Sequence, residues 1–198
     1  MKPSTQIRLL MPAAVALCAA AGQSTIAAAT PIDRVGETLA DVALRDLAGK
    51  PVRLLDYHTD KVLVITYTGL GCPISGRFAP RLEALSAKYA KKGVRFVGIN
   101  ANPQDKLQAI ASEMKELGVT FPICQDHEQA LTKQLDAKTT TEVFVIDNAG
   151  KIRYRGMVND QYAVGLSRKK PKKKYLDLAI RAVLAGRAPR VIRTAAPG

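Results

Sequence analysis

The segment GCPISGRFAP, residues 71–80, places one cysteine between a strand-like apolar run and a helix-like segment. Cys72 opens a C-x-x-S pattern, with Ser75 where a dithiol motif would carry its second cysteine. At the start of a helix, unpaired backbone N–H groups and the helix dipole stabilise a thiolate. The expected chemistry is therefore attack by a single sulfur on a disulfide or a peroxide.

The neighbours of Cys72 are of types that would assist this chemistry. Pro73 suits the first helical turn because its missing N–H would otherwise be unpaired. Ser75 is expected to direct its hydroxyl to the sulfur, and Arg77 adds positive charge. We predict catalytic roles for Cys72 and Ser75 and substrate contacts for Pro73 and Arg77. The alternative is that Cys72 is a small buried apolar residue, as many free cysteines are.

Cys124 closes the short apolar run TFPIC and has two interpretations. It is either the resolving partner of Cys72 after a local shift of the chain, or an ordinary core residue, and its apolar neighbours favour the core. Cys124 and His127 also have the C-x-x-H spacing of half a metal site. A structural zinc site needs four ligands, and no second pair lies nearby, so we predict no metal and no cofactor.

The first 29 residues have the pattern of a signal peptide. Lys2 and Arg8 precede a short apolar stretch, and small residues follow at positions 27–29. Pro12 and the shortness of the stretch argue against the alternative of a membrane anchor. We therefore expect cleavage near Ala29 and a periplasmic or secreted protein.

The remaining chain is basic. Removing the two cations of residues 1–29 from the formal +13 leaves +11. This charge suits acidic partners or anionic membranes. Nucleic acid is not an expected partner, because we expect the protein to be exported and because it lacks aromatic residues interleaved with the basic ones. The run Arg168–Lys174 is either a solvated loop or a docking site for an acidic protein or an anionic membrane surface.

The order of predicted elements is strand, helix, strand, helix, then a strand–helix insertion, a hairpin and a last helix. Continuous β-branched runs mark two central strands, and the amphipathic segment between them completes a βαβ unit. A hairpin precedes this unit. Asn102 or Asp105 is expected to cap the second helix. We predict one domain over residues 30–187 and a tail over 188–198. The predicted elements are, in chain order, a hairpin at 42–57, a strand at 61–67, a helix at 77–93, a strand at 94–100, a helix at 102–118, a strand at 119–124, a helix at 126–136, a hairpin at 142–156 and a helix at 175–186.

These elements resemble the thioredoxin fold, and more narrowly the redoxin branch of the alkyl hydroperoxide reductase/thiol-specific antioxidant superfamily. The resemblance rests on VLVITY before Cys72, on the C-P-I-S motif, on Ala79-Pro80 in the helix and on the hairpin EVFVIDNAGKIRYRG. It covers most of residues 36–187. It implies an α/β fold whose central mixed sheet is flanked by helices, with an inserted strand–helix and an N-terminal hairpin. The implied function is that of a thiol oxidoreductase with antioxidant activity, which uses an external thiol donor.

Three departures from the family pattern narrow this expectation. Ser75 cannot resolve a mixed disulfide, which excludes a two-cysteine shuttle within the motif. Gly69 stands where peroxiredoxins place a threonine or serine, which favours disulfides over peroxides as substrates. Thr141 takes the place of the cis-proline of thioredoxins and is expected to offer Cys72 a hydroxyl or a backbone group. The rival interpretation is a non-catalytic module that binds a partner protein in the substrate groove.

Overall fold

The computed structural model describes residues 34–58, 61–163 and 165–197. The predicted signal peptide lies outside the described residues. The main sheet contains β1 Ala43–Asp46, β2 Pro51–Arg53, β3 Val62–Thr68, β4 Val94–Asn100, β5 Ile123–Gln125, β6 Val143–Asp147 and β7 Ile152–Gly156. Their order across the sheet is β2-β1-β5-β4-β3-β6-β7. Strands β3, β4 and β5 are parallel, and β6 runs antiparallel to β3, so the sheet is mixed.

In the described part of the chain, four helices flank this sheet: α1 Pro73–Tyr89, α2 Leu107–Glu116, α3 Ala130–Leu135 and α4 Tyr175–Leu184. A small ribbon, β8 Tyr162–Ala163 with β9 Leu166–Ser167, lies between β7 and α4 in the chain. Helix α1 joins the parallel neighbours β3 and β4 as the crossover of a βαβ unit. The predicted α/β fold, with its N-terminal hairpin and inserted strand–helix, is confirmed.

Alternation along the strands divides the core into two layers. Val62 and Val64 of β3 pack with residues of α1, α2 and α4. Leu63, Ile65 and Tyr67 point to the other face, where α3 and the 3-10 turn Leu54–Tyr57 cover them. Because helices and turns cover both faces, every residue of β3 from 62 to 67 is buried, which explains its continuous apolar run.

The second helix begins later than its sequence predicts. Its N-terminal flanking residue is Lys106, and no side chain caps it. Asn102 donates to one carboxylate oxygen of Asp105 at 2.6 Å, and Asn100 donates to the other at 2.7 Å. The two candidate caps are therefore bound to each other and to the end of β4, and the prediction that one of them caps the helix is wrong.

The end of the chain lies along the outer edge of β7. The N–H of Arg155 donates to the carbonyl of Ile192, and the N–H of Thr194 donates to the carbonyl of Arg155, both at 3.1 Å. Gly156 has φ +140°, and a Cβ there would overlap Thr194. This segment covers an edge whose unpaired backbone groups would otherwise invite pairing with another chain.

In the described part of the chain, no helix combines the length and the apolar character that a bilayer crossing requires.

Asp177 joins α4 to α1 and predicts a loss of stability in acid. Burial alone would raise its pKa, but hydrogen bonds from Lys88 and Tyr89 outweigh burial and hold the pKa below the usual 3.8. Its contribution to stability is therefore complete above pH 3.8 and lost as the pH falls towards the lowered pKa. We expect Asp177→Asn to lower the free energy of unfolding by about 1.5–3 kcal/mol at neutral pH. We also expect it to reduce the fall of this free energy with decreasing pH, the acid limb of the stability curve. Urea denaturation across this pH range measures both effects, and an acid limb identical in both proteins would contradict the assignment.

Candidate active site

Cys72 lies between the end of β3 and the start of α1, as its sequence context predicts. It is the N-terminal flanking residue of α1, and Pro73 is the first residue of the helix. The Cys72 N–H donates to the carbonyl of Gly69 at 3.1 Å, and its carbonyl accepts from the N–H of Gly76 at 3.0 Å. The side chain is half-buried and the thiol is free. This partly exposed side chain thus lies at the positive end of a 17-residue helix.

The hydroxyl next to the sulfur belongs to Thr140. Its Oγ1 lies 3.1 Å from Cys72 Sγ. The hydroxyl of Thr141 instead donates to the carbonyl of Pro197 in the C-terminal segment. The prediction that Thr141 offers its hydroxyl to Cys72 is therefore wrong by one residue. Residues 139–142 form a turn in which the Glu142 N–H donates to the carbonyl of Thr139, and this turn directs the Thr140 hydroxyl to the sulfur. The three consecutive threonines of TTTEVF signal a hydroxyl here but not which one reaches the sulfur.

Gly69 leaves the space that Thr140 occupies. A Cβ at position 69 would lie 2.8 Å from Thr140 Cγ2, closer than van der Waals contact allows. A threonine at position 69, as in peroxiredoxins, would therefore require the Thr140 side chain or the loop to shift. The glycine at position 69 therefore leaves room for the Thr140 side chain beside the sulfur.

Ser75 is buried and its hydroxyl faces Thr68, with the two oxygen atoms 2.9 Å apart. The expectation that Ser75 bonds the sulfur is therefore wrong. Thr68 ends β3 and Ser75 lies in the first turn of α1, so this bond fixes the helix start against the strand. Ser75 contributes to the position of Cys72 through the backbone.

Two carboxylates brace the loop before Cys72. The N–H of Gly71 donates to Oε1 of Glu113 at 2.8 Å, and the N–H of Leu70 donates to Oδ2 of Asp105 at 3.4 Å. Glu113 belongs to α2 and Asp105 to the loop before it. Sequence reasoning missed both residues, since nothing in their local pattern indicates a contact with a loop more than 30 residues earlier.

A buried ion pair holds the loop that carries Thr140. Arg155 donates to Oε1 of Glu142 through Nε at 2.9 Å and Nη2 at 2.7 Å, and its Nη2 also donates to the carbonyl of Asp136 at 3.0 Å. The other oxygen of Glu142 accepts from the N–H of Lys138 at 2.9 Å. Both ends of the loop 136–142 are thereby fixed to β7.

Arg77 lies against the ribbon β8–β9. Its guanidinium carbon is 5.5 Å from the centre of the Tyr162 ring, within the range of a cation–π contact. The same ring packs edge-on against Phe78 at 5.2 Å. Arg77 and Tyr162 both line a groove of about 500 Å³ between α1 and the segment 158–174. Pro73, at the start of α1, is exposed to solvent.

Cys124 is fully buried in β5. It belongs to the core layer under α3, whereas α1 packs on the opposite face of the sheet. Its thiol is free and donates to the hydroxyl of Tyr57 at 3.3 Å. Burial raises the pKa of Cys124, which favours the unreactive thiol form. These surroundings are those of a core residue, the interpretation that its apolar neighbours favour.

Among the described residues, no group of three or more His, Cys, Asp or Glu side chains is arranged to hold a metal ion.

The Redoxin family model matches residues 34–167, more than half of the chain. The chain belongs to the Redoxin family. It is 30% identical over 120 residues to the thiol-disulfide oxidoreductase ResA of Geobacillus thermodenitrificans. The aligned region covers 60% of this chain and 67% of that protein.

Two solved structures extend the comparison. A conserved protein from Geobacillus kaustophilus superposes with a TM-score of 0.70 at 30% identity, covering 78% of this chain and 84% of that one. A hypothetical protein from Sinorhizobium meliloti superposes with a TM-score of 0.71 at 25% identity, covering 82% of this chain and 92% of that one. The predicted thioredoxin-like, redoxin-branch membership is confirmed. The prediction of an oxidoreductase of this class is confirmed at the level of the family.

Thr140→Val tests whether the hydroxyl next to Cys72 acts on the sulfur. Valine keeps the shape and removes the hydroxyl that lies 3.1 Å from the attacking sulfur, so we expect iodoacetamide to alkylate Cys72 about tenfold more slowly at neutral pH. Thr141→Val is the matched control, because its hydroxyl bonds Pro197 instead, and its rate should equal that of the wild type. Equal rates in both variants would show that Thr140 has no influence on the thiolate.

Proposed function

We propose that the protein is an exported thiol oxidoreductase in which the Cys72 thiolate attacks a disulfide. The observation that carries the proposal is the position of a free, half-buried thiol at the N-terminus of α1, with the Thr140 hydroxyl 3.1 Å from the sulfur. Both the positive end of α1 and the Thr140 hydroxyl therefore lie beside the sulfur that would attack the disulfide. The name of the ResA relative, a thiol-disulfide oxidoreductase, supports the same chemistry.

The reaction has two exchange steps. The Cys72 thiolate attacks one sulfur of the substrate disulfide, the S–S bond breaks, and the other substrate sulfur leaves as a thiolate. A donor thiolate then attacks the substrate sulfur of the mixed disulfide, which frees Cys72 and joins donor to substrate. The donor comes from another molecule, because Ser75 cannot resolve the bond and Cys124 is buried on the far face of the sheet. In this role Pro73 and Arg77 flank the substrate.

The test is to mix reduced protein with oxidised glutathione and to locate the adduct by mass spectrometry. We expect one glutathione on Cys72, released by an added thiol, and no bond to Cys124. Cys124→Ser and Cys124→Ala should turn over at the wild-type rate. Slower turnover in both folded variants would make Cys124 the resolving thiol and overturn the external donor.

A peroxide is the second candidate substrate, and the hydroxyl of Thr140 is the observation in its favour. Thiolate attack on a peroxide breaks the O–O bond, leaves a sulfenic acid on Cys72 and releases water or an alcohol. An external thiol then condenses with the sulfenic acid and releases water. The same reduced protein is mixed with hydrogen peroxide, and dimedone traps the sulfenic acid. If the protein rapidly consumes oxidised glutathione but not hydrogen peroxide, peroxidase activity is excluded.

The rival from another class is a non-catalytic module that binds a partner protein. It predicts that Cys72 reacts with oxidised glutathione and with hydrogen peroxide no faster than free cysteine does. Rates at or below those of free cysteine with both oxidants would favour this module over the enzyme.

We also propose that the chain is built as a signal peptide, residues 1–29, a single redoxin domain, residues 30–187, and a tail, residues 188–198. The pattern of Lys2, Arg8 and the apolar stretch supports export. The protein recovered from the periplasm should begin near Thr30, which N-terminal sequencing measures. Recovery of the intact N-terminus from that fraction would contradict cleavage.

A further inference from the structure

Positive charge is concentrated in the last part of the chain. Residues 166–193 contain ten of the 30 Lys and Arg residues and only one of the 17 acidic residues, Asp177. The carboxylate of Asp177 already accepts hydrogen bonds from Lys88 and Tyr89. Among the described residues, Arg168 pairs with Asp160 at 3.9 Å, and the other cations of this region form no salt bridge. Part of the charge lies in the Arg168–Lys174 loop that leads into α4.

A groove of about 850 Å³ lies between α4 and the segment 187–191. Its floor is apolar, and among the described residues no acidic side chain lines it. The apolar residues are Tyr175, Leu178, Ala179, Ala182, Ala188, Pro189 and Val191, and the cations around them are Lys173, Arg181, Arg187 and Arg190.

Aliphatic side chains are exposed on this same part of the surface. Leu178 is 56% exposed, and Val191 and Ile192 are each 44% exposed. They are half of the large hydrophobic residues that the described part of the chain exposes to solvent. Exposed apolar residues that cluster among cations mark an interaction surface rather than the scattered exposure of ordinary surfaces.

We propose that this face, the α4 groove with the Arg168–Lys174 loop, binds the surface of a membrane that contains anionic phospholipids. Cations around exposed aliphatic residues match a bilayer surface, where anionic headgroups lie over the acyl boundary. The cations extend from the loop over α4 to the end of the chain, which suits an extended anionic plane better than a single acidic peptide. The proposal does not depend on the chemistry of Cys72.

The four cations of the groove are free to bind headgroups. Among the described residues, none of Lys173, Arg181, Arg187 and Arg190 forms a salt bridge, and Arg181, Arg187 and Arg190 are exposed. Arg181 lies near Asp177, whose carboxylate is bonded to Lys88. Each cation near an anionic surface contributes about fivefold in binding.

Cosedimentation of the full chain with vesicles tests the proposal. One set of vesicles contains equal parts of phosphatidylglycerol and phosphatidylcholine, and the other contains phosphatidylcholine alone. The variant Arg181→Gln/Arg187→Gln/Arg190→Gln should bind the anionic vesicles about a hundredfold more weakly than the wild type. The matched control, Lys50→Gln/Lys106→Gln/Lys115→Gln, has the same net charge but alters the opposite edge of the sheet, and it should lose far less. The N-terminal apolar stretch is common to all variants and cancels in the comparison.

Leu178→Gln/Val191→Gln tests the apolar part of the surface. It should also weaken binding to the anionic vesicles and make the remaining binding more sensitive to salt, because only the electrostatic attraction persists. Equal losses in the arginine variant and its control would overturn the proposal, since net charge alone would then explain binding. Binding of soluble polyglutamate that matches or exceeds vesicle binding would also overturn it and favour an acidic protein partner.

Discussion

Arg155→Met is expected to lower the free energy of unfolding by about 3–5 kcal/mol. Arg155 is 3% exposed, and its guanidinium donates two hydrogen bonds to Glu142. Methionine fills a similar volume but leaves the Glu142 carboxylate buried without its counter-charge, and it leaves the carbonyl of Asp136 without a donor. The cost comes mainly from this uncompensated charge rather than from lost packing.

Arg153→Met is the matched control on the same strand. Arg153 donates to Asp147 at 2.9 Å, but its side chain is 32% exposed, so the loss should stay below about 1 kcal/mol. Glu142→Gln combined with Arg155→Met should recover part of the loss, because no charge then remains buried. Urea denaturation at neutral pH measures all three variants. If Arg155→Met lowered the free energy of unfolding no more than Arg153→Met does, the buried ion pair would contribute no more to stability than an exposed one.

The same pair links stability to the site. Arg155 and Glu142 fix the loop 136–142, and this loop places the Thr140 hydroxyl beside Cys72. Loss of the pair should therefore free Thr140 even in molecules that remain folded. Folded Arg155→Met is then expected to show the slow alkylation of Cys72 that Thr140→Val shows.

The strands and the position of Cys72 could be predicted from sequence for one physical reason. Strands covered on both faces need only a continuous apolar run, so β3 and β4 lie at 62–68 and 94–100, within one residue of the runs 61–67 and 94–100. The junction between β3 and α1 follows from these boundaries, and Cys72 lies at that junction. Local composition alone determines both.

The groups around Cys72 could not be predicted in this way. Choosing between Thr140 and Thr141 requires the geometry of the turn 139–142, which three consecutive threonines do not specify. Asp105 and Glu113 reach the loop before Cys72 from another element, and no local pattern records such a contact. Hydrogen bonds between distant parts of the chain depend on the folded geometry, which a sequence pattern does not contain.

The C-terminal segment illustrates the same limit. Its sequence has neither the helical nor the strand period, and composition predicts only a tail. Its position beside β7 depends on two backbone hydrogen bonds to Arg155 and on the missing side chain at Gly156. Almost any residue type could supply these backbone groups, so the residue types of the tail do not indicate the pairing with β7.

Cys72→Ser is expected to abolish the glutathione adduct and to reduce disulfide turnover at least about a thousandfold. A serine hydroxyl is not ionised at neutral pH and cannot form the mixed disulfide. The fold should not suffer, because position 72 flanks the N-terminus of α1, where serine is among the preferred residues. The free energy of unfolding should therefore stay equal or rise by up to about 1 kcal/mol. Lost turnover together with retained stability separates a chemical role from a structural one.

Ser75→Ala is the control for the second position of the C-x-x-S motif. Its hydroxyl bonds Thr68 and not the sulfur, so adduct formation should persist, with a stability loss of about 1 kcal/mol from the missing hydrogen bond. Abolished adduct formation in a folded Ser75→Ala protein would assign Ser75 to the chemistry after all. If Cys72→Ser kept its turnover and only Cys124→Ala lost it, the nucleophile would be the core thiol. Opening of the sheet around β5 would then have to precede each reaction, because Cys124 is fully buried in the native fold.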